Sequence, residues 1–209
     1  MADEAGQGHE RFLVALALAM VDQPRATLQE LAKAVGVSKA TLYRFCQTRD
    51  QLVLRLTTHC AHVMKKALAD SHLDTAPPRE ALHTLIHQNM AHKELTAFLM
   101  YNWKPDNEQQ PDIMNSWSGY QESLDAFFLR GQREGAFRVD ITAAALTEMF
   151  IGVLTSMVDA ERRGRVARLG IASVVEQMML HGIAGEPVRA PVAAAPPDQA
   201  PATGRPKNG

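Results

Sequence analysis

The sequence predicts an all-α protein: an N-terminal three-helix domain built on a helix-turn-helix, then a larger C-terminal helical domain. Three observations carry this. Between Thr27 and Gln51 two short helical patterns, each with its own capping residue, meet at Gly36. From there to about residue 182 apolar residues recur at three- and four-residue steps, and no alternating strand pattern interrupts them. The breaks fall between these stretches, at DQPRA (22–26), LDTAPP (73–78), WKPDNEQQPD (103–112) and Gly135.

Taken in order, residues 1–8 are polar and expected to be loose. A helix over 9–21 offers Phe12, Leu16 and Met20, or alternatively Leu13 and Ala17, as its apolar face. Thr27 caps the next helix, with Gln29 and Glu30 in the first turn and Leu28, Leu31, Ala32 and Val35 at helical spacing. Gly36 can adopt the left-handed backbone that ends it, and Val37 anchors the turn. Ser38 caps a second helix, expected to turn Lys39, Thr41, Tyr43 and Arg44 outward, with Ala40, Leu42 and Phe45 inward. Thr48 caps a long helix over 48–71, with Leu52, Leu56, Cys60, Val63 and Ala67 in one stripe. At ~1.5 Å per residue it is long enough to link two domains.

Pro78 opens a helix with Leu82, Leu85, Ile86 and Met90 inward, and residues 91–102 form a short one with Leu95, Phe98 and Leu99. Ile113, Trp117, Tyr120, Leu124, Phe127 and Phe128 make a single stripe that ends at Gly135. The next helix, 142–162, is apolar nearly all round, as expected for one buried on both sides. The last, 168–182, carries Ile171, Val174, Val175, Met178 and Met179. Six prolines and many alanines beyond Gly185 predict a disordered tail. The expected domains are therefore 9–55, 56–184 and a tail over 185–209.

Composition narrows the function. With 209 residues, 46% hydrophobic and 22% charged, the chain reads as a soluble globular protein of one or two domains. The net charge of −1 hides an asymmetry: residues 1–66 hold nine Lys/Arg against six Asp/Glu, and the rest is acidic. A basic head on an acidic body suits a head that meets a polyanion. Two cysteines, Cys46 and Cys60, form no CxxC pair, so a reducing cytoplasm is expected. The longest apolar run, residues 12–21, is too short to span a bilayer, and acidic residues precede it where a signal peptide would be basic. GVSKA lacks the last glycine of a nucleophile elbow, and no phosphate-binding glycine loop or HExxH occurs, so no enzyme, catalytic residue or cofactor is expected.

The outward residues of the second motif helix are donors or a cation, and none is acidic, which is the bias that phosphate and base contacts require. The run VGVSKATLYRFCQTRDQL resembles the DNA-binding signature of the tetracycline-repressor (TetR) family, an AGVS-x-GTLY run followed by an aromatic pair and a lysine. The likeness covers about residues 10–56. Ala40 stands for the common glycine, Cys46 for phenylalanine, Arg49 for lysine, and Phe45 for a tyrosine or histidine. The resemblance implies an all-helical homodimer with a DNA-binding head and a C-terminal domain that binds a small effector.

Candidate sites follow. Lys39, Thr41, Tyr43 and Arg44 are expected to contact a double-stranded operator, with Thr27, Ser38, Thr48 and Arg49 at helix starts to hold phosphates. Phe98, Tyr101, Trp103, Trp117, Tyr120 and Phe127 concentrate aromatics over 98–127, and with Met90, His87 and Gln121 are expected to line an effector cavity. Phe150, Leu154, Met157, Ile171, Val175, Met178 and Met179 are expected to form a dimer seam between the last two helices. His83 and His87 stand at i, i+4 but beside the apolar stripe, which favours a solvated histidine face over a metal site. The reading is a ligand-responsive repressor. Its rivals are a helical enzyme or carrier using the aromatic pocket, and a DNA-binder without an effector.

Overall fold

The chain folds as ten helices among the described residues, 2–103 and 110–183 of this computed structural model, with no β-strand there. The head comprises α1 (Ala2–Asp22), α2 (Leu28–Ala34), α3 (Lys39–Phe45) and the start of α4 (Arg49–Asp70). Its core is closed by Leu13, Leu16, Ala17 and Met20 together, so both alternative faces of α1 point inward against Leu31, Leu42 and Leu52. The body comprises α5 (Pro78–Ala91), α6 (Lys93–Asn102), α7 (Pro111–Trp117), α8 (Tyr120–Arg133), α9 (Ala143–Arg162) and α10 (Ile171–Ile183). The tail expected over 185–209 lies outside the described residues, as do residues 104–109 of the proline-flanked loop.

Head and body share one hydrophobic core. The boundary expected at 55/56 falls inside α4, where Leu52, Leu56 and Cys60 are fully buried in a row. α1 also packs along α6, and Asp22 at its end pairs with Arg162 at the end of α9 at 2.7 Å. α4 is therefore held at its start by the head and along its length by the helices of the body.

Several expectations are corrected. Residues 2–8, expected to be loose, form the start of α1. The stripe from Ile113 to Phe128 is two helices, because Gly119 adopts φ 79° and turns the chain between α7 and α8. In α3, Ala40 is exposed and Thr41 half-buried, the reverse of the expected pairing. The dimer seam changes most. Phe150, Leu154, Ile171, Val175 and Met179 are buried inside the single chain and cannot face a partner. Helix α9 is not buried on both sides either: Met149, Gly152 and Ser156 are exposed, and α10 exposes Val174 and Met178. Met157 is half-buried, and Met178 alone among the expected seam residues is exposed.

Within that core, four phenylalanines hold the body. Phe127, Phe128 and Phe137 lie 5.2–5.7 Å from one another as rings, and Phe150 lies 6.2 Å from Phe128, all tilted or edge to face. Phe137 comes so close to α8 that any Cβ at Gly131 would run into its ring. By length and composition α9 is the one described helix apolar enough to cross a bilayer, but its Leu146, Phe150, Leu154 and Val158 face this core.

Candidate nucleic-acid interface and ligand cleft

Local chemistry fixes the head's turn. Thr27 and Glu30 form a reciprocal capping box: the Glu30 N–H donates to the Thr27 hydroxyl at 3.3 Å, and the Thr27 N–H donates to the Glu30 carboxylate at 2.7 Å. The hydrogen bonds from the Thr27 backbone and side chain hold the Glu30 carboxyl below its ordinary range. Gly36 sits at φ 73°, and the Val37 N–H turns back to the Ala32 carbonyl at 2.9 Å. The Ser38 hydroxyl accepts the Thr41 N–H at 3.0 Å, and it shares a further 2.8 Å hydrogen bond with the Thr41 hydroxyl. Thr48 caps α4 by accepting the Gln51 N–H at 3.1 Å.

These contacts sort the expected DNA-binding residues. Thr27, Ser38 and Thr48 use their hydroxyls as caps. The Arg49 guanidinium donates to the carbonyls of Ala26 at 2.7 Å and Pro24 at 2.8 Å, so it fastens the start of α4 to the α1–α2 connection. The outward face of α3 presents Lys39, Ala40, Tyr43 and Arg44, with the Lys39 ammonium 5.3 Å above the Tyr43 ring. Phe45 does not reach outward. It meets Phe12 edge to face at 5.5 Å and carries the Arg55 guanidinium 4.9 Å above its ring, which pins α3 to α1 and α4.

In the body, α4 to α9 enclose a cleft of about 530 Å³. Trp117 is its central wall, edge to face with Trp103 at 5.9 Å and with Tyr120 at 5.2 Å. The Trp117 indole N–H is buried without a hydrogen-bond partner among the described residues. A buried donor left unpaired costs roughly 1–3 kcal/mol, and such orphans concentrate where a ligand or water completes the bond. Burial pushes the Tyr120 phenol up to about 12, so it stays neutral. Exposed Glu122 and Glu148 bring carboxylates to the lining, and Gln121 donates to Glu148 at 3.3 Å. Asn89 and Thr96, both buried, add polar groups from α5 and α6.

Trp103, Trp117, Tyr120 and Gln121 line the cleft, whereas the five other candidates do not. Phe127 belongs to the phenylalanine centre, Phe98 and Met90 are buried in the core, and exposed Tyr101 donates to Asp159 at 3.1 Å. His87 packs against His83 on the exposed side of α5. Met64, Glu148, Ile151 and Thr155 line the cleft without having been anticipated, and Leu154 belongs here instead of in a seam. The available signal was a polar residue set into an apolar stripe, as Asn89, Thr96 and Thr155 are. Cys46 and Cys60 are buried and their thiols pushed up by burial, which excludes them as activated nucleophiles.

Comparison with known proteins agrees with this arrangement. The chain is 52% identical over 180 residues to the HTH-type transcriptional regulator NfxB of Pseudomonas aeruginosa, covering 86% of this chain and 96% of that one. Among solved structures it resembles the TetR-like transcriptional regulator LfrR from Mycobacterium smegmatis, crystallised with proflavine, at a TM-score of 0.67 and 19% identity over 86% of this chain and 98% of that one. It also resembles the ketosteroid transcriptional regulator KstR2 of Mycobacterium tuberculosis (TM-score 0.68, 18% identity, 85% and 95% covered). The TetR-family regulator PfmR from Thermus thermophilus is similar in the same degree (TM-score 0.64, 21% identity, 82% and 97% covered). No family model matches the chain.

Proposed function

Because the chain belongs to the TetR family of helix-turn-helix transcriptional regulators, we propose that it is a cytoplasmic, homodimeric repressor released from a palindromic operator by an aromatic, cationic effector. The observation that carries the effector class is the Trp117 N–H, unpaired among the described residues, within an aromatic wall that also holds two carboxylates. Rings stack on or meet edge to face with a flat ligand, and their faces and the carboxylates attract its charge. The proflavine complex of LfrR is a precedent for such a ligand in this fold.

The mechanism is an equilibrium between two dimer shapes. In one, the paired α3 helices lie about 34 Å apart and enter successive major grooves. Ligand favours another spacing, and operator affinity falls by the ligand's differential affinity for the two shapes. α4 is the lever: Arg49 ties its start to the head, and Met64 forms part of the cleft wall.

The DNA-reading surface is testable by itself. Selection from a random duplex pool should yield inverted repeats. On the selected duplex, Lys39→Ala and Arg44→Ala should each weaken binding by about 1–3 kcal/mol, and a lost phosphate contact should lower the salt slope by about 1. Both side chains are exposed, so melting should be unchanged. Variants that bind at full strength would place the reading surface elsewhere.

A further inference from the structure

We propose that His83, His87 and Glu176 form a binding site for a divalent transition-metal ion, with zinc the best fit. α5 sets the two histidines one helical turn apart, and their rings meet tilted by 43° at 4.3 Å between centroids. α10 brings Glu176 to them from 93 residues away, with a carboxylate oxygen 2.9 Å from His83 Nδ1. One donor atom from each of the three residues lies within 4.8 Å of the other two.

A tetrahedral ion with ligands at ~2.0–2.1 Å needs its donors roughly 3.4 Å apart. The His83–Glu176 pair is already inside that separation, and exposed His87 can close the remainder by a small rotation. Two imidazoles and one carboxylate, with the fourth position open to water, is a donor set that zinc accepts. The alternative is a surface hydrogen bond between His83 and Glu176 and nothing more. It leaves His87 unexplained, because His87 makes no hydrogen bond among the described residues and only packs against a second imidazole.

The position gives the ion a consequence. α5 carries Asn89 into the cleft wall two residues after His87, and α10 carries exposed Val174 and Met178 on either side of Glu176. An ion bound here braces the cleft wall to the helix that exposes Val174 and Met178. The site is separate from the ligand cleft and from the DNA-reading face, so it stands or falls independently of them.

The test is a titration of the metal-free full-length protein with Zn²⁺, followed by calorimetry and by competition with a chromophoric chelator. The expected result is one equivalent per chain with a raised melting temperature. Binding should weaken at least ~10–100-fold in His87→Ala and in Glu176→Gln, since losing even an outer-shell partner has that effect. His181→Ala, on α10 but hydrogen-bonded to Gln177, should bind as wild type does. His87 is exposed and Glu176→Gln preserves shape, so folding should hold, with circular dichroism as the check. A wild type without a tight equivalent, or an equivalent retained in both variants, would overturn the site and leave only the hydrogen-bonded pair.

Discussion

Met178→Asp should leave each chain folded yet lower operator affinity by about 10²–10⁴-fold, because a palindrome is held by two heads acting as one. Met178 is 48% exposed in the single chain, on the α10 face that also carries Val174. Along α9, exposed Met149, Gly152 and Ser156 supply an apolar, small-residue surface onto which a second chain's helices can close. A carboxylate on that surface is solvated in the monomer and stranded in the dimer, so light scattering should report monomers. Val175→Asp, three residues away, should behave differently. Val175 is fully buried within its own chain, and an unpaired charge there costs several kcal/mol, enough to threaten folding itself. A dimeric Met178→Asp protein with wild-type affinity would put the seam on another face.

The second large effect separates the cleft from the core. Phe128→Ala removes a fully buried ring from contact with Phe127, Phe137 and Phe150 and should cost about 3–5 kcal/mol. In a chain of this size that corresponds to a fall in melting temperature of roughly 6–20 °C. Trp117→Ala deletes a larger ring, yet part of that ring borders open cleft and its N–H bonds to nothing among the described residues. Its loss should therefore be clearly smaller than that of Phe128. The Trp117→Ala protein should still bind operator while its response to an aromatic cation disappears. Equal destabilisation by the two truncations would mean that Trp117 is packed as tightly as Phe128, and the cleft reading would fail.

What was legible in the sequence was what short-range chemistry determines. The caps at Thr27, Ser38 and Thr48 and the turn at Gly36 each involve residues within a few positions of one another, so the head could be read almost element by element. Helical periodicity likewise revealed the apolar stripes of the body. It could not say which apolar residues a helix keeps for its own chain. α9 and α10 carry apolar residues on two sides, and Val174 and Val175 are chemically alike though one is exposed and the other buried. The same ambiguity mixed Phe127, a core ring, with Trp117, a cleft ring. Gly119 was a visible break in the Ile113–Phe128 stripe, but apolar spacing that happened to continue across it concealed the turn. Glu176 could not be joined to His83 and His87 at all, since only the packing of α10 on α5 brings them together.

In the proposed mechanism a ligand in the Trp117 cleft controls DNA binding by the head. Fluorescence anisotropy of the selected operator, with proflavine titrated into complexes of wild type and of Trp117→Ala in parallel, tests it most directly. Proflavine also binds duplex DNA, and the variant controls for that because it sees the same DNA and the same ligand. Wild type should dissociate as proflavine rises while Trp117→Ala stays bound over the same range. Both proteins dissociating alike, or neither dissociating, would contradict it.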